Sequence, residues 1–119
     1  MFPYESLAVY SKAYQANQKV YRLLKDNKLV PGYIKNQLGR ASLSVMLNIA
    51  EGSAKFSDKD RRNFYVIARG SAFECAALVN FLYTEGELLM EMKDDFYFSF
   101  EEISRILFTM IKNLEKNRP

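Results

Sequence analysis

The side chains that could perform chemistry in this chain are carboxylates, bases and a single thiol, because the sequence contains no His and only one Cys, Cys75. His is the residue best suited to proton transfer near neutral pH, and the usual nucleophile–His triads require it. One Cys without His excludes the common zinc sites, and it excludes the Glu-x-x-His pairs that build metal sites in helical bundles. The five glycines are scattered and form no phosphate-binding loop. We therefore predict a protein that is not an enzyme and holds no metal or cofactor.

Positive charge is the remaining chemical feature, and it is concentrated in the first half of the chain. Residues 1–50 contain seven Lys and Arg against two Asp and Glu, whereas residues 81–119 contain five against eight. Basic surfaces bind phosphate backbones through counterion release, so the pattern indicates RNA as a partner. A protein–protein scaffold or adaptor without nucleic acid is the alternative, because the net charge of +3 is modest. The residues predicted to contact nucleic acid are Lys12, Lys19, Arg22, Lys35, Lys55, Lys59, Arg61 and Arg62.

Four amphipathic helices are predicted to position these side chains. The three prolines stand at positions 3, 31 and 119, so none interrupts the long middle of the chain. Apolar residues recur at spacings of three and four, which indicates helices over about residues 4–25, 33–51 and 57–90 and a fourth from residue 99. The turns between them are short, which makes neighbouring helices antiparallel. The predicted fold is all-α, an antiparallel up-down-up-down four-helix bundle formed as a single domain over residues 1–119.

The first three helices each have an apolar stripe that is predicted to enter the core. In the first helix the stripe is Leu7, Tyr10, Tyr14, Tyr21 and Leu24. In the second helix it is Ile34, Leu38, Ala41, Val45 and Ile49. In the third helix it is Phe64, Ala68, Ser71, Cys75, Leu78, Leu82 and Leu89.

Three residues are predicted to mark helix ends. Gly52 stands where a glycine with positive φ often closes a helix, and Ser57 is a good N-cap for the third helix. Ser99, with Glu102 three residues later, predicts the start of the fourth helix after a polar turn at residues 93–95.

The third helix has a second apolar set, at spacings of seven, four and four. One buried stripe per helix is enough for a four-helix monomer, and exposed apolar surface usually marks an interface. We therefore predict a homo-oligomer that buries this set, and the alternative is a wider core seam within the monomer. The residues of the predicted interface are Val66, Phe73, Ala77 and Phe81.

Two motifs in the second and third helices resemble those of a known family. The chain reads Q-L-G-R-A-S-L-S-V-M-L-N-I-A-E-G from residue 37 and I-A-R-G-S-A-F-E from residue 67. This resembles the four-helix-bundle proteins named for the intervening sequences of bacterial 23S rRNA genes, whose pattern is roughly Q-L-x-R-A-x-x-S-x-x-x-N-I-A-E-G followed by I-A-x-G-S-x-x-E. The chain departs from the family at Gly39, where an arginine pair is common, and at Met46, where proline often stands.

The resemblance implies a ring of identical bundles, commonly a pentamer. The family is similar in architecture to the accessory protein of diversity-generating retroelements, which is a basic scaffold for a reverse transcriptase and RNA. The partners that the resemblance implies are therefore further copies of the chain, RNA, and a protein such as a reverse transcriptase.

The motif residues are predicted to be structural, and they are Arg40, Ser44, Asn48, Glu51, Gly52, Gly70, Ser71 and Glu74. If the hairpin of the second and third helices is centred near residues 54–55, Arg40 comes within reach of Glu74. A partly buried ion pair between these two side chains would fix the helix register. The same centre places Ser44 opposite Phe64 and Tyr65.

Small residues in the second motif are predicted to bring the helices together, because Gly70 and Ser71 allow a close approach. The alternative for this region is a ligand or catalytic site formed by Asn48, Glu51 and Glu74.

The location predicted from the sequence is the cytoplasm. No apolar run approaches the ~20 residues needed to cross a bilayer, so no membrane partner is predicted. The N-terminal residues lack the basic and apolar regions of a signal peptide, and a lone Cys agrees with a reducing compartment.

Overall fold

The computed structural model describes residues 1–116 and contains four long α-helices, preceded by a short 3₁₀ helix at Pro3–Ser6. The long helices are α1 (Ala8–Asp26), α2 (Gly32–Ser53), α3 (Asp58–Thr84) and α4 (Met90–Lys116). Each helix packs on its neighbour in sequence, and α1 also packs on α4, which closes the bundle. Short connections reverse the chain between helices, and the body measures 50 × 26 × 22 Å. The predicted all-α, up-down four-helix bundle is confirmed.

The core stripe of α2 is the one predicted. Its spacings of four, three, four and four keep the five side chains on one face of the helix, and all five are buried. The stripe runs the length of the helix, whereas the other large aliphatic residues of α2, Leu43 and Leu47, stand on an exposed side and form no comparable run. The buried residues of the stripe are Ile34, Leu38, Ala41, Val45 and Ile49.

The core stripe of α1 differs from the prediction. The buried residues are Val9, Ala13, Ala16 and Val20, whereas Tyr14 and Tyr21 are 46% and 65% exposed. Both stripes recur at helical spacing, so periodicity alone does not separate them. Small side chains on the inner face let α1 pack closely on the bundle, and the tyrosines keep their hydroxyl groups in water. The predicted burial of Tyr14 and Tyr21 is therefore wrong.

The predicted core stripe of α3 is confirmed in part. Ala68, Cys75 and Leu82 are buried in α3, while Leu89 lies beyond the end of the helix and is exposed. The start of α3 agrees with the prediction, because the Asp60 backbone N–H donates a hydrogen bond to the Ser57 hydroxyl oxygen at 3.1 Å.

The boundary between α3 and α4 lies elsewhere than predicted. α3 ends at Thr84 and α4 begins at Met90, so residues 93–95 form a surface of α4 and not a turn. Ser99 is inside α4 and caps no helix, and Phe98 is exposed. The predicted start of the fourth helix is therefore wrong by about ten residues.

Gly86 is the physical reason for this boundary. It has φ +81°, a conformation that glycine adopts without strain and that commonly closes a helix. The Glu87 backbone N–H donates to the Leu82 carbonyl at 2.8 Å across this turn, and Leu88 is buried against the core. Together these contacts end α3 before the polar run is reached.

α3 is, within residues 1–116, the one helix whose length and composition would suffice to cross a membrane. In the bundle, its inner side lies between α2 and α4 and contributes Ala72 and Val79 to the core. Its hydropathy is high because the outer side of the same helix is apolar as well. We therefore assign α3 as a core helix of a compact globular bundle.

Candidate nucleic-acid interface

Four of the eight bases predicted to contact RNA are paired with carboxylates. Lys12 lies 3.0 Å from Glu102, and Lys19 lies 2.9 Å from Asp95, so both bases of α1 face α4. At the start of α3, two further pairs form: Arg62 with Glu115 of α4 at 2.8 Å, and Arg61 with Asp58 at 3.4 Å. Partly exposed pairs of this kind contribute little stability, but they neutralise the bases locally. The predicted basic side is therefore interrupted along the seam between α1 and α4.

The bases without an acidic partner are concentrated between residues 22 and 59. Within the described residues 1–116, every Lys and Arg of this stretch is free of ion pairs. The stretch contains three carboxylates, Asp26, Glu51 and Asp58, and therefore has a net charge of +4. We call it the basic segment; its bases are Arg22, Lys25, Lys28, Lys35, Arg40, Lys55 and Lys59.

The last two bases of the basic segment are Lys55, in the turn between α2 and α3, and Lys59, in the first turn of α3. The Lys55 ammonium lies 4.9 Å from the centre of the Phe64 ring, and the Arg61 Nε donates to the Lys55 carbonyl at 2.8 Å. Next to them, Lys59 and the aromatic Phe56 are exposed to solvent. These contacts fix the turn while leaving its cations accessible to a polyanion.

Polar residues of the first motif join α2 to α3. The hydroxyl oxygens of Ser44 and Ser71 lie 2.9 Å apart. Asn48 Nδ2 donates to the carbonyl and the hydroxyl oxygen of Ser44 at 2.9 and 3.0 Å. These side chains satisfy one another, which agrees with a structural role for them.

The predicted ion pair between Arg40 and Glu74 is wrong. Arg40 forms no ion pair with any described residue, and the Glu74 carboxylate accepts a hydrogen bond from Gln37. The contact between Ser44 and Ser71 is centred between residues 57 and 58, about three residues later than the predicted centre of the hairpin at 54–55. Ser44 meets Ser71 and not Phe64 or Tyr65.

Two glycines of the motifs have roles other than those predicted. Gly52 lies inside α2 without positive φ, and a β-carbon there would stand 2.6 Å from Cε1 of Tyr65. Gly52 therefore allows the close approach of α2 and α3 that was assigned to Gly70. A β-carbon at Gly70 would meet nothing within 4 Å, and Gly70 is exposed on the outer side of α3.

The second apolar set of α3 is exposed. Val66, Phe73 and Phe81 are 41%, 54% and 46% exposed, and Ala77 is exposed between them. Together with Gly70, these residues follow spacings of four, three, four and four, and we call this surface the α3 outer face. Its exposure excludes the alternative that the set widens the core of the monomer.

Arg69 lies at the border between the α3 outer face and α4. Its guanidinium stands 4.6 Å from the centre of the Phe73 ring and 5.4 Å from that of Phe108. The Arg69 Nε is buried and has no hydrogen-bond partner among residues 1–116. The cation is thus held by two exposed aromatic rings, an arrangement common at protein interfaces.

The acidic side chains and the thiol are not clustered for metal binding in the described part of the chain. No group of three or more His, Cys, Asp or Glu side chains there could hold a metal ion. Cys75 is buried, and burial raises the pKa of its thiol, with the neighbouring Glu74 carboxylate adding to the increase. An open hollow of about 710 Å³ lies where the end of α1 meets α4, lined in part by Arg22, Lys28 and Phe96.

Comparison with known proteins gives a family and a fold. The model of the 23S rRNA-intervening sequence protein family matches residues 5–109. The chain is similar to a protein of unknown function from the S23 ribosomal protein family of Bacteroides thetaiotaomicron VPI-5482, whose crystal structure gives a TM-score of 0.84. The identity is 23%, over 88% of this chain and 99% of that chain, so this likeness shows the fold alone. No curated protein matches the chain.

Proposed function

Because the chain belongs to the 23S rRNA-intervening sequence protein family, we propose that it is a non-catalytic module that binds RNA and associates with further copies of itself. RNA is bound by the basic segment, and self-association uses the α3 outer face. The pentamer remains an expectation from the family resemblance, and the cytoplasm remains the predicted location.

The observation that carries RNA binding is the distribution of unpaired bases. Among the described residues 1–116, all seven Lys and Arg of residues 22–59 lack a carboxylate partner, so a phosphate would not have to displace one. Each phosphate that such a base neutralises releases condensed counterions, which favours binding at low salt. The paired bases Lys12, Lys19, Arg61 and Arg62 are secondary contacts at most.

Self-association is supported by the α3 outer face. Val66, Phe73 and Phe81 expose apolar side chains along one side of a single helix, at a spacing suited to packing on another helix. Repetition of the basic segment in an oligomer would strengthen weak contacts with one RNA molecule through effective concentration.

A scaffold that binds protein and no nucleic acid is the second candidate, with a protein such as a reverse transcriptase as the partner. Leu43 and Leu47 of α2 and Phe108 of α4 favour it, because they are large apolar side chains exposed outside the α3 outer face. This candidate predicts self-association without RNA binding.

The test is the affinity for a fluorescently labelled RNA stem–loop, measured by fluorescence anisotropy. The variant Arg40→Gln/Lys55→Gln/Lys59→Gln removes three unpaired bases, and Arg105→Gln/Lys112→Gln/Lys116→Gln removes the same charge from α4. We expect the first variant to bind about tenfold or more weakly than the wild type, and the α4 variant to lose less. Equal losses in both variants would contradict a role for the basic segment. No binding by the wild type would favour the protein scaffold.

A further inference from the structure

Two tyrosines stand exposed on the side of α1 that borders α2, and their surroundings suit an unpaired nucleobase. Tyr14 and Tyr21 are two helical turns apart, about 10 Å along the axis. We propose that this surface, the α1 hollow, binds single-stranded RNA by stacking bases on the two tyrosine rings. The proposal rests on the RNA-binding function proposed above and specifies a site and a class of RNA for it.

The α1 hollow has the size of a small-ligand site. It is an open depression with a volume of about 440 Å³, within the range of about 300–1,000 Å³ that such sites occupy. Both tyrosines line it, with Met46 of α2 at its border. The remaining lining is polar: the amides Asn17 and Gln18, the cations Arg22 and Lys25, and the carboxylate Asp26.

The rings are available for stacking because the core does not use them. Tyr14 and Tyr21 lie outside the buried stripe of α1. Tyr14 is supported from one side by Tyr10, whose ring centre is 6.2 Å away at a tilt of 41°. Tyr10 in turn contacts Tyr4 at 4.5 Å, so a row of rings leads into the hollow. A ring held in this way loses little freedom when a base stacks on it.

The polar groups match the rest of a nucleotide. Arg22 and Lys25 form no ion pair with any residue in the described part of the chain, and two cations against Asp26 leave the hollow positive. The Ser42 hydroxyl donates to Asn17 Oδ1 at 2.9 Å, which fixes the amide and leaves its NH₂ group to donate to a base or ribose. Phosphates can therefore meet the cations while the bases meet the rings.

The arrangement favours a single strand over a duplex and over a protein helix. Bases within an A-form duplex are stacked on each other and cannot reach exposed rings on a convex helix. An apolar partner helix would need a continuous aliphatic surface, whereas here Tyr14, Gln18, Tyr21 and Lys25 alternate aromatic and polar side chains at spacings of four, three and four.

The experiment compares the binding of a labelled oligouridine of about 12 nucleotides, a length typical of such sites, with that of a duplex RNA of equal length. The variants are Tyr14→Ala/Tyr21→Ala, Tyr14→Phe/Tyr21→Phe, which keeps the rings, and Tyr83→Ala/Tyr97→Ala, which removes two exposed tyrosines from α3 and α4, outside the basic segment. Thermal unfolding followed by circular dichroism verifies that each variant is folded.

We expect the Tyr14→Ala/Tyr21→Ala variant to bind the single strand about tenfold or more weakly, with the Phe variant and the Tyr83/Tyr97 control close to the wild type. Duplex binding should be unchanged in all three. If the Ala variant keeps its full affinity for oligouridine, the α1 hollow is not the site, although RNA binding stands. If the wild type binds neither RNA, both this proposal and the proposed function are rejected.

Discussion

Gly52 of α2 stands so close to the ring of Tyr65 of α3 that a β-carbon at position 52 would lie 2.6 Å from Tyr65 Cε1. Tyr65 is buried, and the Phe64 Cβ would be only 3.1 Å away, so the neighbouring atoms have little room to move. The glycine in the first motif is thus explained by contact between two helices and not by a turn conformation.

A methyl group at position 52 should therefore destabilise the fold. We expect Gly52→Ala to lower the free energy of unfolding by about 1–3 kcal/mol, because overpacking forces α2 and α3 apart. Gly39→Ala is the control in the same helix, where the β-carbon would make ordinary contact with Leu24 Cδ1 at 3.4 Å. It should be neutral or stabilising by up to about 1 kcal/mol. Urea denaturation measures both, and a neutral Gly52→Ala would contradict the close contact.

Because Ser44 of α2 and Ser71 of α3 form a hydrogen bond, substitutions of the two serines should have coupled effects on the free energy of unfolding. Ser44→Ala also removes an acceptor for Asn48, so we expect it to cost about 1–2 kcal/mol, and Ser71→Ala about 1 kcal/mol. The double variant should cost less than the two single changes together, with a coupling of about 0.5–1 kcal/mol. Ser11→Ala, on the exposed side of α1, is the control. Strict additivity would show that the two hydroxyl groups do not interact.

The α3 outer face should determine the oligomeric state. Phe73→Gln/Phe81→Gln removes two exposed rings and should convert an oligomer to a monomer, measured by size exclusion with light scattering at micromolar concentration. Phe56→Gln removes a more exposed ring from the turn between α2 and α3 and should leave the assembly intact. A monomeric wild type, or an assembly that survives the loss of Phe73 and Phe81, would contradict the proposed interface.

Cys75 should make the stability fall at high pH. Burial raises the pKa of its thiol in the folded chain, whereas an unfolded Cys ionises near pH 8.5. Above that pH the unfolded state loses a proton that the folded state keeps, so unfolding becomes easier by roughly 1.4 kcal/mol per pH unit from this group. The Cys75→Ala variant lacks this contribution, and other groups titrate equally in both proteins.

The measurement is the unfolding free energy of the wild type and of Cys75→Ala at pH 7 and pH 10. We expect the stability of the wild type to fall by more than that of the variant between these values. Equal pH dependence of the two proteins would mean that the thiol ionises normally in the folded state.

The sequence predicts the bundle well where one apolar stripe runs the length of a helix. In α2, Ile34, Leu38, Val45 and Ile49 form such a stripe, and all are buried. In α1, the Ala and Val stripe and the tyrosines recur with the same periodicity. Which of the two is buried depends on how closely α1 packs on its neighbours, and the spacing of residues in the sequence does not contain that information. The periodicity predicts a longer α3 than the structure has, because Gly86 is followed by apolar residues that continue the helical pattern.

The sequence shows which bases the candidate site contains, but it does not show which of them form ion pairs with carboxylates. The excess of bases in the first half of the chain is visible in the sequence. The ion pairs of Lys12 and Lys19 with carboxylates of α4 are not visible in the sequence. They depend on which face of α1 meets a helix more than 70 residues away in sequence. The orientation of α1 that pairs Lys12 and Lys19 with α4 also exposes Tyr14 and Tyr21. Because the sequence predicts a different orientation of α1, it predicts neither the interrupted basic side nor the α1 hollow.

The salt dependence of RNA affinity tests the central proposal most directly. For the wild type and the labelled stem–loop, the logarithm of the association constant should fall linearly with the logarithm of the salt concentration, with a slope steeper than about −2. Arg40→Gln/Lys55→Gln/Lys59→Gln should shift this slope toward zero by about 2, because each lost phosphate contact contributes about 0.7–0.9. The Arg105→Gln/Lys112→Gln/Lys116→Gln variant should keep the slope of the wild type. A wild-type slope near zero, or the same slope in both variants, would contradict RNA binding by the basic segment.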